Sequence, residues 1–351
     1  MKSRSVLSSI LLALLLVGLI LSLQERRSNP VSPLIVSSER MLMGTIWRVQ
    51  IVVSHGEQQK AEKAVEHLFQ ELNRIEALMS EFRPDSPVSR LNQAAGTGPQ
   101  AVPPELADLI RRGLDYGALT RGAFDITWLA LRGIWRFDDR FRPPSPEEVE
   151  QALSFVDYRR VELEGTRISL PPGYAVGLGG IAKGYAIDRA AAVLREHGFS
   201  HFLVEGGGDI FASGRKGSRA WLVGVRDPRG GPSDLVARLS IEDVAVVTSG
   251  DYERYRIVNG VRYHHIIDPR TGWPADGCRS VTILAKTAEQ ADALATGVFV
   301  LGPQEGLQLV ERLAGVEAFI IDREGQFLFS NGFLRYVVGK PTETVLPPTI
   351  D

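Results

Sequence analysis

The sequence predicts an α+β protein of mostly antiparallel, twisted sheets flanked by helices, preceded by an N-terminal membrane-anchor helix. Three observations lead there. Val6 to Leu23 is a run of 18 positions without a charge, close to the ~20 apolar residues a helix needs to cross a bilayer. Tyr255 to Tyr263 reads as a hairpin, with Asn259-Gly260 suited to a type I′ turn between antiparallel strands. The remaining strand-like runs are short and end in glycine clusters, while clear helical stripes stand beside them.

The chain has 351 residues, 44% hydrophobic and 23% charged, an ordinary globular composition long enough to bury a large core. Lys plus Arg number 40 against 42 Asp plus Glu, so no basic excess argues for a nucleic-acid surface. One cysteine, Cys278, excludes an intrachain disulfide framework and a Cys-based zinc site.

In chain order, residues 1–24 read as an uncleaved signal anchor. Lys2 and Arg4 precede the apolar run, no Ala-x-Ala site follows it, and no cysteine offers a lipid attachment point. The body is then expected on the exported side of the membrane. Residues 25–40 read as a linker, 41–340 as one folded domain and 341–351 as a tail. Thr45 to Val53 alternates as a strand. Glu57 to Ser80 carries a helical stripe at Ala61, Val65, Leu68, Leu72, Ile75 and Leu78. Pro104 to Thr120 is a second helix, and a short helix begins near Glu147. Tyr174 to Gly184 reads as a short strand entering a helix that ends near His197. Val281 to Ala285 is a strand, Ala288 to Leu301 and Gln304 to Leu313 are helices, and Val316 to Ile321 pairs with Gln326 to Phe329.

Four polar, glycine-rich clusters fall within about a hundred residues of one another: Gly177 to Gly184, Gly206 to Asp209, Thr248 to Asp251, and His264 to Gly272. Loops of this kind aim backbone N–H groups at anions, and Lys183 adds positive charge. Together they point to a shared polyphosphate or nucleotide site. Gly177 to Ala182 also matches G-x-G-x-x-A, but Pro171-Pro172-Gly173 leaves too little preceding strand for a dinucleotide fold. Asp292 and Thr296 lie four residues apart on one helix face, oxygen donors that suit a hard cation such as Mg²⁺. Capping and back-bonding to the helix remain the alternative for that pair. His265, beside Asp268 and Arg270, is a candidate general base.

These residues carry a resemblance. Met43-Gly44-Thr45, Met79 to Arg83, Ser89 to Asn92, Gly122 to Thr127, Gly177 to Asp188, Glu205 to Asp209, Thr248 to Tyr252, His265 to Gly272 and Ala291 to Thr296 resemble the ordered motifs of the FAD:protein FMN transferases, the ApbE-type flavin transferases. The match runs from about Met43 to Val338. The resemblance implies an ApbE-like fold and Mg²⁺-dependent transfer of the FMN half of FAD to a threonine hydroxyl of an acceptor protein, with release of AMP. It implies FAD contacts at Met43, Phe82, Ala123, Phe124, Asp125 and Ile267, and a pyrophosphate loop from Gly177 to Lys183. It implies a metal held by the Gly180 carbonyl, Asp292 and Thr296 with Ala295 nearby, and His265 as the base. The acceptors it implies resemble membrane flavoproteins of the Nqr and Rnf types. Gly177 stands where many relatives carry Asp, and no Asp/Ser-Gly-x-Thr stretch like the family's acceptor site occurs in this chain. An exported FAD pyrophosphatase and a non-catalytic FAD carrier stay open as alternatives.

Overall fold

The computed structural model describes residues 33–339. The expected anchor at 1–24 and tail at 341–351 lie outside the described residues. Among the described residues, no helix is long and apolar enough to cross a membrane.

The first element corrects a boundary. β1 (Leu34–Leu42) begins inside the stretch expected to be linker through residue 40. It pairs with β2 (Thr45–Val53) from Leu34↔Val53 to Leu42↔Thr45. Met43 and Gly44 turn the hairpin at φ 50° and 71°, the left-handed pair a two-residue type I′ turn needs. α1 (Gln58–Met79) buries the expected stripe from Ala61 to Leu78. α2 (Pro87–Gln93) is capped by the Ser86 hydroxyl, which accepts from the Ser89 N–H. β3 (Gln100–Ala101) and α3 (Pro104–Leu119) follow, then α4 (Leu129–Arg132) and α5 (Pro146–Leu153), the last with a capping box between Ser145 and Glu148. β4 (Glu162–Glu164) and β5 (Arg167–Ser169) join β3 in a small sheet.

The expected strand before Gly177 does not form; α6 starts directly from a loop at Ala182 and runs to Glu196. The reason is a side chain from a distant part of the sequence. The Asn92 carboxamide takes both backbone groups of Val176, accepting from its N–H and donating to its carbonyl, each at 2.8 Å. A side chain thereby replaces the ladder a strand would need.

The remaining strands are β6 (Phe202–Gly206), β7 (Asp209–Ser213), β8 (Trp221–Arg226), β9 (Leu235–Ile241), β10 (Val244–Gly250), β11 (Tyr255–Val258), β12 (Val261–His264), β13 (Cys278–Ala285), β14 (Glu317–Asp322) and β15 (Phe327–Phe329). α7 (Ala288–Leu301) and α8 (Pro303–Val310) lie between β13 and β14. β11 and β12 form the expected hairpin, with Asn259 and Gly260 at φ 51° and 79°.

Eight strands make one sheet in the order β1-β2-β6-β7-β10-β13-β14-β15, every neighbour antiparallel. Its central strands are apolar on both faces because both are covered. Phe202, Val204, Ala245, Val247, Val281 and Ile283 pack with α1, α6 and α7. Their alternates Leu203, Val244, Val246, Leu284 and Phe319 pack with the β8–β9 hairpin and Phe333. A period of two on a sheet sends successive side chains to opposite covers. The site lies where α6 and α7 meet the ends of β7 and β10.

Candidate functional site

α6 and α7 cross with almost no space between their backbones. A Cβ on Gly184 would lie 2.2 Å from the Ala288 carbonyl oxygen, so only glycine permits this approach. Each helix then supplies a carboxylate to the other's N-terminus. Asp188 of α6 accepts the N–H groups of Ala288 and Glu289 at 2.8 and 2.9 Å. Asp292 of α7 accepts the Gly184 N–H through Oδ2 at 2.9 Å. The first helical N–H groups lack partners within their own helix, and anions there also meet the positive end of the macrodipole. Burial lifts the Asp188 carboxyl to about 6.

The second oxygen of Asp292, Oδ1, lies 4.0 Å from the Lys183 ammonium. Lys183 is paired more closely with Asp209, at the start of β7. Burial alone would push the ammonium down, but the charges of Asp209 and Asp292 outweigh it and hold Lys183 protonated well above its ordinary range. One turn along α7, Thr296 Oγ1 sits 3.5 Å from Ser249 Oγ. Gly180 leaves the space over this hydroxyl open: a Cβ there would lie 3.4 Å from Thr296 Oγ1 and 3.0 Å from the Phe124 ring. A Mg²⁺ ion fits this set chemically, since Asp292 Oδ1, the Thr296 hydroxyl and the Gly180 carbonyl are all oxygen donors. Among the described residues no group of three or more His, Cys, Asp or Glu side chains gathers to hold a metal. A hard ion here would therefore depend on hydroxyl, carbonyl and substrate oxygens as well as Asp292. Ala295 is fully buried beside them.

The glycine loop that enters α6 is braced by α4 and its neighbours. The Gly177 N–H donates to the Ile126 carbonyl at 2.7 Å, and the Trp128 indole donates to the Gly177 carbonyl at 3.2 Å. A Cβ at Gly177 would meet that indole nitrogen at 2.9 Å. Trp128 thus occupies the space that a side chain at this position would need, which accounts for glycine here. Beside the loop, Glu81 is buried and paired with Arg132 at 3.1 Å. The Arg132 guanidinium lies 4.4 Å over the Phe82 ring, which is 70% exposed.

Ala123 and Phe124 are buried against this same corner. Asp125 is buried too, and its oxygens are engaged within the chain. It accepts from the Thr127 N–H and hydroxyl at 2.7 and 2.6 Å and from the Tyr158 N–H at 2.9 Å. A cleft of about 450 Å³ opens beside Asp125, bounded by Arg121, Gly122, Tyr158 and Arg270 among others.

The two adjacent histidines differ sharply. His264 lies edge-on to Phe299, its Nε2 is 2.7 Å from the Ala275 carbonyl, and its Nδ1 accepts the Ile266 N–H at 3.3 Å. Both its nitrogens are in use. His265 has a buried Nδ1 with no hydrogen-bond partner. Burial, reinforced by the charges of His264 and Arg254, pushes its imidazole down to about 4, and Lys183 is near enough to add to that effect. His265 is thus a neutral ring with an unengaged nitrogen at pH 7. A hollow of about 520 Å³ flanks the same segment, bounded by Phe137, Arg254, Tyr255 and Ile257.

The structure brings Gly180, Phe124 and Thr296 together, and joins Lys183 to Asp292 through the α6–α7 crossing. The Met43 turn reaches the same end of the sheet, where Thr45 packs against Gly207. Two expected positions stand apart. Ile267 packs in a separate cluster with Leu131 and Trp135, and Phe82, although its neighbour Glu81 borders the glycine loop, turns its ring outward under Arg132. Sequence reasoning missed the pairing of Asp209 with Lys183, the brace from Trp128 and the cap from Asp188. Each joins segments distant in the chain; of the three positions, Asp209 alone closes one of the polar glycine clusters, Gly206 to Asp209, that the sequence singles out.

Residues 43–320 match the model of the ApbE family. The FAD:protein FMN transferase of Treponema pallidum is 37% identical over 304 residues, 81% of this chain and 84% of that protein. The FAD:protein FMN transferase of Vibrio cholerae is 32% identical over 277 residues, 77% of this chain and 82% of the other. The crystal structure of the ApbE protein from Thermotoga maritima superposes with a TM-score of 0.80 at 34% identity, covering 87% of this chain and all of that one.

Proposed function

The chain belongs to the ApbE family, and on that premise we propose that it transfers the FMN half of FAD to a threonine hydroxyl of an acceptor protein, with Mg²⁺, releasing AMP. Its curated relatives are FAD:protein FMN transferases. One observation in the chain itself carries the reading. Oxygen donors for a hard cation, a half-buried ammonium and a neutral imidazole with an unengaged nitrogen gather around the loop that opens α6.

In this reading the loop from Gly177 to Lys183 receives the FAD pyrophosphate, with Lys183 and the N-terminus of α6 facing its charge. Asp292, Thr296 and the Gly180 carbonyl would hold Mg²⁺, which when bound supplies positive charge against that developing on the phosphates. The acceptor threonine needs a base, because its hydroxyl is a weak nucleophile. The His265 imidazole takes the hydroxyl proton as oxygen bonds to the FMN phosphorus. The bond from that phosphorus to the bridging oxygen breaks, and AMP leaves with the bridging oxygen. Met43, Phe82, Ala123, Phe124 and Ile267 are read as flavin or adenosine contacts. Asp125, whose oxygens are engaged at home, is read as shaping the loop.

The acceptor is read as a separate protein of the exported side, resembling Nqr- and Rnf-type membrane flavoproteins. Support comes from the apolar run Val6 to Leu23 and from the lack of an acceptor motif in this chain. The test is to mix the protein with FAD, Mg²⁺ and a candidate acceptor. Covalent flavin fluorescence on the acceptor, lost when its threonine is replaced, is the expected result. Free FMN plus AMP with an unmodified acceptor would identify a hydrolase instead, and unchanged FAD a carrier.

A further inference from the structure

Lys183 sits in the first turn of α6, where the helix macrodipole is already positive and a further cation is disfavoured. Two carboxylates offset this, and they are not equivalent. Asp209 makes the direct ion pair, while Asp292 Oδ1 stands 4.0 Å away. Asp209 is 2% exposed, and its place is set tightly. It closes the β6–β7 hairpin opposite Gly206, after Gly207 and Gly208 at φ 63° and 93°. The Thr248 backbone of β10 lies near enough to favour its charged form. Asp292 is held from the other side, by the Gly184 N–H on Oδ2 alone. Its Oδ1, one helical turn from Thr296, is thus a carboxylate oxygen that the ammonium could reach but does not engage directly.

We propose that Asp209 is a positioning residue: it draws the Lys183 ammonium away from Asp292 and so keeps Asp292 Oδ1 open to a divalent cation. The proposal rests on the reading of Asp292 as a cation ligand given above. The physical argument is competition. A lysine stem is flexible, and with Asp209 neutral the nearest anion to the ammonium becomes Asp292. An ammonium in contact with Oδ1 would oppose a second positive charge there, in a buried site where such repulsion is weakly screened.

The probe is Mn²⁺ binding to the full-length protein without FAD, read from the loss of the free-ion electron spin resonance signal. Asp209→Asn should weaken Mn²⁺ binding about tenfold or more, a change of ~1.4 kcal/mol or greater. Adding Lys183→Met to Asp209→Asn should restore it to within about threefold of Lys183→Met alone. Lys183→Met alone should bind Mn²⁺ as tightly as the parent or tighter, and this arm stands even if Asp209→Asn misfolds through the loss of its ion pair. Undiminished binding in Asp209→Asn overturns the proposal. So does weakening that the removal of Lys183 fails to relieve, or weaker binding in Lys183→Met. An Asp292→Ala control separates the two levels. If it loses Mn²⁺ while Asp209→Asn does not, only the positioning role falls; if it binds undiminished, the cation reading falls and takes this proposal with it.

Discussion

The contrast between His264 and His265 makes a residue-scale prediction with opposite signatures for neighbouring positions. General acid–base groups contribute ~10²–10⁴-fold in rate. His265→Asn should lose transfer by that order while retaining FAD affinity. His264→Asn should instead lower the melting temperature, because both ring nitrogens and the contact with Phe299 are part of the packing. Single-turnover transfer, FAD titration and thermal unfolding of both variants check this, and a slower His264→Asn enzyme would remove the assignment. The pH profile belongs to the same residue. An imidazole pushed down to about 4 stays neutral well below the ordinary 6.5. The acid limb of kcat/KM should therefore fall nearer 4 than 6.5, with activity lost as His265 gains its proton.

Asp292 makes a second residue-scale prediction, because its two oxygens face different groups, the Gly184 N–H and the Lys183 ammonium. Asp292→Ala leaves the Gly184 N–H without its acceptor, at a cost of ~1–3 kcal/mol in stability, and removes transfer. Asp292→Asn keeps an acceptor oxygen but loses the charge. It should unfold at nearly the parent temperature yet show no Mg²⁺-dependent transfer. Full transfer by Asp292→Asn at limiting Mg²⁺ would show that the carboxylate charge is not needed.

At the scale of elements, the α6–α7 crossing decides the site. Gly184→Ala would press a methyl against the Ala288 carbonyl at 2.2 Å. Overpacking of this kind costs ~1–3 kcal/mol, and relief by separating the helices would move Lys183 and Asp292 apart. Gly184→Ala should thus lose both stability and activity, whereas Asp188→Ala should lose stability alone, ~0.5–2 kcal/mol for a cap. Denaturant unfolding beside transfer assays distinguishes them; an active, stable Gly184→Ala enzyme would refute the close-crossing argument. These elements also show how legibility varies. The stripe of α1 and the Asn259-Gly260 hairpin were readable because 3.6- and two-residue periods and a turn dipeptide are local signals. The strand expected before Gly177 failed because Asn92, more than eighty residues earlier, supplies its hydrogen bonds.

For the whole molecule, the described fold begins at residue 33 with β1 at Leu34, so a chain starting near Ser28 keeps every element of it. Such a chain should be soluble without detergent, melt as the full-length domain does and flavinylate an acceptor in solution. Full-length protein should partition with membranes; its recovery as a freely soluble, cleaved form would defeat the anchor reading of residues 1–24.

Composition and periodicity alone determined the α+β class, most helices and hairpins and the spacing that sets Asp292 and Thr296 on one helix face, while the ordered motifs carried the resemblance to flavin transferases. Those features are written in runs of a few to twenty residues, where side-chain period and turn chemistry act directly. Only the tertiary structure decided that Lys183 turns to Asp209, that Trp128 makes glycine necessary at 177, that β1 reaches back to Leu34, and which of two adjacent histidines keeps an unengaged nitrogen. Each depends on burial and on charges or donors brought together from distant parts of the chain. Spacing in sequence carries no measure of that, because the partner is chosen by the close approach of packed elements rather than by the neighbours along the backbone.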